Sequence, residues 1–153
     1  MSYCIDTSAI LDGWVRYYPI DSFPGLWANL DRLIEANRLL TSDEVLRELE
    51  AKDDEALRWG KERPRLFVEL NDPIQTATSE ILSQFPKMVD TMRGRNRADP
   101  FVVAVARARG CTVVTGERNR GTLERPRIPL VCDHFGLQCV DLLGLIRAEG
   151  WRF

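Results

Sequence analysis

Short β-forming apolar runs alternate with helical segments along this chain, and the alternation restricts the folds that it can adopt. Strands are predicted at residues 3–5, 39–40, 66–70, 111–115, 128–132 and 137–140. Helices are predicted at residues 9–11, 21–38, 42–59, 72–85, 99–109 and 141–149. Strands that alternate with helices form a parallel sheet covered by helices on both faces. The sequence therefore predicts an α/β fold with a central parallel sheet.

The start of one helix is predicted from its capping residues. Thr41 and Glu44 have the spacing of a capping box, in which each side chain bonds a backbone N–H of the other end of the turn. Apolar residues continue at helical spacing to about Trp59, which predicts one uninterrupted helix. On this interpretation Glu44 is a capping residue and not a ligand.

Length and charge set the class of protein. The 153 residues, 44% hydrophobic and 29% charged, predict a single domain over residues 1–153. A formal net charge of −2 gives no strong attraction to nucleic acid or acidic lipid, so nucleic-acid binding needs a local basic patch. The chain has no long apolar segment and no basic N-terminal segment followed by an apolar core, so we expect a cytoplasmic protein without a membrane partner.

The cysteines and the histidine limit the available chemistry. Cys4, Cys111, Cys132 and Cys139 form no C-x-x-C pair, so zinc-knuckle and thioredoxin-like sites are disfavoured and buried free thiols are expected. His134 is the one histidine, and a metal site would therefore depend on carboxylates. Asp133 and His134 are predicted to follow a strand, where they belong to the site or to a polar turn.

Acidic residues follow two of the predicted strands. Asp6 comes after the first strand and Glu117 after the strand at 111–115, and ligands of parallel α/β sheets bind at the carboxyl ends of strands. Asp99 opens a helix, where the helix dipole favours an anion. Clustered carboxylates repel one another, and a divalent cation such as Mg²⁺ or Mn²⁺ relieves the repulsion. Alternatively, Asp6 and Asp99 cap the helices that they precede, and Glu48 is a solvated surface residue.

Arginines cluster beside these acids in two loops. Arginine suits bidentate contacts to phosphate, although the same side chains could simply neutralise the acids or face solvent. The candidate nucleic-acid-binding residues are Arg93, Arg95, Arg97, Arg118 and Arg120. Trp14, Tyr17 and Tyr18 are candidates for stacking on bases, with core packing as the alternative.

Other phosphate-binding classes each lack a required residue. The chain has no G-x-G-x-x-G, and the glycines at 116 and 121 are followed by Thr122 where a phosphate-binding loop requires lysine. Nucleotide binding of the Walker type is therefore disfavoured.

Four ordered segments carry a resemblance to a known family. They are residues 4–8 (CIDTS), 45–49 (VLREL), 99–106 (DPFVVAVA) and 110–117 (GCTVVTGE). Each is weak alone, but their succession places an acid after the first strand, on a helix, at the start of an alanine-rich helix and after a later strand. In this order they resemble the PIN-domain family of metal-dependent nucleases.

The resemblance implies a three-layer α/β/α fold and a metal-dependent site. Its catalytic and metal-binding residues would be Asp6, Glu48, Asp99 and Glu117, around one or two Mg²⁺ or Mn²⁺ ions. Thr7, Ser8 and Thr115 would support these acids through their hydroxyl groups. The implied reaction is hydrolysis of RNA phosphodiester bonds by metal-activated water, leaving a 5′-phosphate and a 3′-hydroxyl.

The resemblance also implies partners. Many small PIN-domain proteins are toxins that a cognate antitoxin protein inhibits, and they are commonly homodimers. Glu117 departs from the family pattern, which more often has aspartate there. The alternative is a PIN-fold module that binds RNA or protein without turnover, and a third class is a phosphatase or nucleotidase that acts on small phosphate esters.

Overall fold

Five parallel strands form the centre of the protein. The computed structural model describes residues 1–88 and 98–153. The strands lie in the order β3-β2-β1-β4-β5, and every neighbouring pair is parallel. They are β1 (Tyr3–Ile5), β2 (Leu39–Ser42), β3 (Phe67–Val68), β4 (Thr112–Val114) and β5 (Cys139–Val140).

Eight α-helices within the described residues flank this sheet. They are α1 (Thr7–Leu11), α2 (Pro24–Glu35), α3 (Asp43–Lys52), α4 (Asp54–Lys61), α5 (Asp72–Gln84), α6 (Asp99–Arg109), α7 (Ile128–His134) and α8 (Leu142–Glu149). A π-helical segment, Asp12–Tyr17, continues directly from α1. The arrangement confirms the predicted α/β class and the three-layer α/β/α fold. No helix in the described part of the chain is long and apolar enough to cross a membrane.

Successive residues of β1 point to opposite faces of the sheet and contact different helices. The thiol of Cys4 donates a hydrogen bond to the carbonyl of Val102 in α6, at 3.4 Å. The hydroxyl of Tyr3 donates to Glu149 in α8, at 2.6 Å. Helices α6 and α8 therefore cover opposite faces, which explains why the strands are apolar without alternation.

Helix α6 is the most deeply buried helix segment. Val102, Val103, Ala104, Val105 and Ala106 are all fully buried. A helix that is apolar all round belongs in a core, and α6 packs against β1, β2 and β4 on one side and against α5 on another. Its N-terminus, which carries Asp99, is consequently fixed against the sheet.

Two predictions around α3 are wrong. The residue that caps α3 is Ser42, whose Oγ accepts a hydrogen bond from the N–H of Glu44 at 3.1 Å. Thr41 does not form the predicted capping box, because α3 begins at Asp43 and the N-cap position therefore falls on Ser42, one residue later. The single helix predicted to reach Trp59 is divided at Asp53, whose carboxylate accepts from the N–H of Ala56 and caps α4.

Other predicted boundaries differ more simply. Residues 128–132, predicted as a strand, belong to α7, and the proline at the first turn suits a helix start. The strand predicted at 66–70 is shortened to β3, since a 3₁₀ turn (Pro64–Leu66) precedes it. The helix predicted at 21–38 is shortened to α2. The helix predicted at 99–109 is confirmed, and Gly110 ends it in the left-handed conformation.

The tryptophans favour the packing alternative. Trp14 and Trp59 both lie against Trp27, with ring centroids 5.0 and 5.2 Å from it and nearly perpendicular planes. Trp14 is therefore part of an aromatic cluster between the π-helical segment, α2 and α4, and its ring is engaged with neighbours.

The strand order places a crevice at one end of the sheet. The chain passes from β1 outward to β2 and β3, and then returns to β4 on the other side of β1. Ligands of open α/β sheets bind outside the carboxyl ends of the strands at such a switch point. Asp6 follows β1, and Thr115 to Glu117 follow β4, so these residues lie at the switch point.

Candidate metal centre

Three carboxylates from distant parts of the sequence converge at this edge of the sheet. Asp6, Asp99 and Glu117 each offer an oxygen, and these three oxygens lie within 4.8 Å of one another. We call these residues the carboxylate trio. Asp6 follows β1, Asp99 begins α6, and Glu117 follows β4. The fold brings together three of the four predicted acids.

The capping alternative is wrong for both aspartates. Asp6 occupies the N-cap position of α1, but its side chain makes no capping hydrogen bond. The N-cap of α6 is Ala98, and no side chain caps that helix. Asp6 and Asp99 are only 2% and 3% exposed. Their burial is therefore not explained by stabilisation of a helix end.

Two carboxylate oxygens in the trio have no partner. Within residues 1–88 and 98–153, Asp6 Oδ1 and Asp99 Oδ2 are buried and accept no hydrogen bond. Burial, together with the neighbouring Glu117 and Glu48, raises the pKa of Asp6 to about 6. Burial and the charge of Asp6 hold the pKa of Asp99 well above its ordinary value. The ionised trio is unfavourable by itself.

A divalent cation would fit this arrangement. The trio provides only oxygen donors, which hard cations such as Mg²⁺ and Mn²⁺ prefer. Mg²⁺ is usually held by one or two carboxylates and keeps several waters, so three carboxylates at a partly open sheet edge suffice. The two unpartnered oxygens are the groups that a cation would satisfy.

Hydroxyl groups fix the position of Asp6. Its Oδ2 accepts hydrogen bonds from Ser8 Oγ at 2.6 Å and from Thr115 Oγ1 at 3.0 Å. The same two hydroxyls accept from the backbone, Ser8 from the N–H of Gly116 at 2.9 Å and Thr115 from the N–H of Glu117 at 3.1 Å. The carboxylate of Asp6 is thereby tied to the loop that carries Glu117.

Glu48 lies beside the trio and not within it. Its Oε1 accepts from Thr7 Oγ1 at 2.5 Å, and its Oε2 accepts from the N–H of Ala98 at 3.2 Å. Both oxygens are thus engaged by the protein, one of them by the residue that precedes Asp99. Glu48 is therefore not a solvated surface residue. Its contacts suit a positioning role at the start of α6. A role as a metal ligand stays a prediction.

Glu117 is held by the segment that begins α7. Its Oε2 accepts from the N–H of Ile128 at 2.9 Å, and its Oε1 lies 3.8 Å from the Arg127 guanidinium. The backbone N–H at the start of α7 therefore helps to orient this carboxylate.

The predicted RNA-binding arginines have different surroundings. Arg93, Arg95 and Arg97 lie outside the described residues. Arg120 forms an ion pair with Asp133 at 2.8 Å, and Asp133 is not one of the trio, so this pair does not neutralise the clustered acids. Arg118 is exposed and lines a cleft next to the trio.

Asp133 and His134 neither follow a strand nor form a polar turn, because both belong to the last turn of α7, and neither is among the clustered acids. Asp133 is engaged by Arg120, and Nε2 of His134 lies 2.5 Å from Gln84 Oε1. The His134 ring packs edge-on against Phe85 and Phe135. The four cysteines are free, as predicted, and Cys4, Cys111 and Cys132 are buried, whereas Cys139 is only partly buried.

Asp12 is a residue at the site that the sequence did not identify. It lies in the π-helical segment, and its Oδ2 sits so close to Gly116 that a Cβ added there would be 2.2 Å from it. Asp12 pairs with Arg16 at 2.7 Å. The one signal in the sequence was the glycine at position 116, between Thr115 and Glu117, which leaves space for a neighbouring side chain.

Comparisons with known proteins give the family and no activity. The curated proteins contain no match to the chain. A family model described as a domain of unknown function, DUF4411, matches residues 3–153 and so spans β1 to the end of the chain, the whole carboxylate trio included. The chain therefore belongs to the DUF4411 family.

Proposed function

We propose that this protein is a metal-dependent ribonuclease that hydrolyses RNA phosphodiester bonds with Mg²⁺ or Mn²⁺. The observation that carries the proposal is the carboxylate trio at the switch point, with buried oxygens of Asp6 and Asp99 that accept no hydrogen bond among the described residues. Buried charges that lack partners are costly, and strongly perturbed carboxylates in a crevice are candidates for functional groups.

The residues of the chain have separate roles in this proposal. Asp6, Asp99 and Glu117 would hold the cation, which when bound supplies Lewis acidity for attack of water on phosphorus. Ser8 and Thr115 hold one oxygen of Asp6, so that its other oxygen stays directed away from them.

RNA as substrate and the toxin assignment follow from the PIN resemblance. The order of the acids along the chain matches that family, and an exposed arginine, Arg118, follows Glu117 directly. A cognate antitoxin protein is the corresponding partner, and we propose a homodimer for the same reason.

The test is cleavage of a mixed panel of structured and single-stranded RNAs by purified protein with Mn²⁺ or Mg²⁺. Asp6→Asn and Asp99→Asn should abolish cleavage, and so should a chelator. Asp21→Asn is the matched control, because Asp21 is exposed in the loop before α2. This variant should cleave RNA like the parent. Cleavage that persists in Asp6→Asn and Asp99→Asn would contradict the proposal.

A second candidate is a PIN-fold module that binds RNA without turnover. The geometry of Glu117 favours it, since one oxygen already accepts from Ile128 and the other faces Arg127. In such a module Asp6→Asn should leave RNA affinity in chelator equal or higher, because it removes a negative charge, and the parent should cleave no RNA. Calorimetric titration with Mn²⁺ adds a further test, because a protein that binds no Mn²⁺ would contradict the metal-dependent enzyme.

A further inference from the structure

A cleft of about 230 Å³ adjoins the carboxylate trio. It is lined by Asp12, Tyr17, Tyr18, Gly116, Arg118, Asp141, Leu142 and Leu143. We propose that this cleft, which we call the base cleft, holds one unpaired base of the RNA on the ring of Tyr17, with Arg118 on an adjoining phosphate. The inference rests on the proposed function, because it names the substrate contacts next to that site.

The base cleft and the trio share one stretch of backbone. Gly116 and Arg118 line the cleft, and Glu117 between them belongs to the trio. Consecutive Cα atoms are about 3.8 Å apart, so the backbone that lines the cleft is continuous with the backbone that carries Glu117. The N–H of Gly116 also donates to Ser8, which donates to Asp6. A strand of RNA can therefore reach both sites at once.

One wall of the cleft is apolar and exposed. Tyr17 is 54% exposed and Leu143 is 39% exposed, while Tyr18 is held by an edge-on contact with Phe23 at 5.3 Å. A flat aromatic base would cover this wall, and stacking on tyrosine is how proteins commonly bind unpaired bases. Pockets for drug-sized ligands span about 300–1,000 Å³, so this smaller cleft suits a single base.

The charged groups of the cleft leave one cation available. Asp12 is paired with Arg16, and Asp141 Oδ1 accepts from the N–H of Gly144 at the start of α8. Arg118 is exposed, and no carboxylate of the described residues pairs with it. It can therefore form a bidentate contact with phosphate.

A larger cavity elsewhere lacks these features. It measures about 350 Å³ and lies between α2 and the turn after α4. Its Arg63 is committed to Asp31 through two hydrogen bonds, and no aromatic side chain lines it. Size alone therefore does not identify the RNA site.

The test measures RNA binding without cleavage. Fluorescence anisotropy in chelator compares a fluorescein-labelled ten-nucleotide RNA with an abasic strand of the same length and charge. Tyr17→Ala should weaken binding of the base-bearing RNA by about 5- to 160-fold, the loss of one base–aromatic stack, and leave binding of the abasic strand unchanged. Tyr17→Phe should restore the lost affinity.

Arg118→Ala should weaken binding of both strands. It should also reduce the slope of log affinity against log salt concentration by about 0.7, the value expected for the loss of one phosphate contact on a single strand. Arg32→Ala is the matched control, because Arg32 is exposed near the end of α2. The helix ends just before β2 begins, and Arg32 therefore lies near the amino ends of the strands, away from the trio at their carboxyl ends.

The outcomes separate this inference from the proposed function. Equal affinity of Tyr17→Ala and the parent for base-bearing RNA overturns the base cleft, as does an equal loss for abasic RNA. Parent protein that binds neither strand overturns it as well. Base-dependent loss in Tyr17→Ala supports the base cleft even if the parent, tested separately with Mn²⁺, cleaves no RNA; only the ribonuclease proposal then fails.

Discussion

Asp6→Asn should make the cation-free protein more stable, although it removes a residue at the centre of the site. In the parent, Oδ2 of Asp6 accepts from Ser8 and Thr115, and Oδ1 faces no donor among the described residues. Asparagine keeps one acceptor oxygen for the two hydroxyls. Its amide group replaces the unpartnered oxygen and can donate to the neighbouring carboxylate of Asp99.

The magnitude follows from the pKa of Asp6, which is raised from 3.8 to about 6. A shift of about two units corresponds to about 3 kcal/mol at 1.36 kcal/mol per unit. The pKa of Asp6 is higher in the folded than in the unfolded state. The contribution of protonated Asp6 to stability is therefore fully present below pH 3.8 and is lost as the pH rises through about 6. At pH 7.5 the free energy of unfolding of Asp6→Asn should therefore exceed that of the parent by about 3 kcal/mol, which corresponds to a Tm higher by about 6–12 °C.

Urea unfolding followed by tryptophan fluorescence, in chelator, measures the difference. The gap should fall to about half at pH 5, where much of the parent's Asp6 is already protonated in the folded state. Asp21→Asn should match the parent at both values of pH. Mn²⁺ at 100 times its dissociation constant should stabilise the parent by about 2.7 kcal/mol and the variant by much less. A variant less stable than the parent at pH 7.5 would refute the reasoning.

Three further changes test the supports of the site. Thr115→Val removes the hydroxyl that links Asp6 to the backbone of Glu117, so Mn²⁺ affinity measured by calorimetry should fall about 10- to 100-fold. Gly116→Ala places a methyl group 2.2 Å from an oxygen of Asp12, so it should lower the free energy of unfolding by about 1–3 kcal/mol and weaken Mn²⁺ binding. Ser42→Ala removes the cap of α3 and should cost about 1 kcal/mol in urea unfolding, without a change in Mn²⁺ affinity.

The sheet and two members of the trio were predictable from local patterns. Parallel strands end at a common edge, so acids that follow β1 and β4 must lie near each other once these strands are neighbours. Asp99 is different, because its position depends on the depth at which α6 packs. Only the resemblance to the PIN-domain family placed it with Asp6 and Glu117, and the carboxylate oxygens indeed converge.

The features that the sequence did not give depend on small displacements. Thr41 and Ser42 both suit an N-cap by residue type, and the residue at which α3 begins, Asp43, decides between them. Glu48 lies at the margin of an apolar helix face, and its direction is set by Thr7 and by the backbone of Ala98, which are distant in sequence. Patterns along the chain contain no information about such contacts.

Asp12 illustrates the same limit. A regular helix continued from α1 would present its side chains at a different angle, whereas the π-helical segment turns Asp12 toward Gly116. The segment also presents Tyr17 at the base cleft. A single irregularity in the backbone therefore arranges two residues beside the trio.

The energetics of the trio argue that it is not a structural device. A domain of this kind is stable by about 5–15 kcal/mol, and ionised Asp6 alone lowers that figure by about 3 kcal/mol. Neither Asp6 nor Asp99 caps a helix, and each has an oxygen with no donor in the described part of the chain. The buried α6, with Val102 to Ala106 fully enclosed, forces Asp99 into this position against the repulsion. The cation that we propose would offset this cost, because hard divalent cations bind through oxygen ligands and would neutralise the clustered carboxylates.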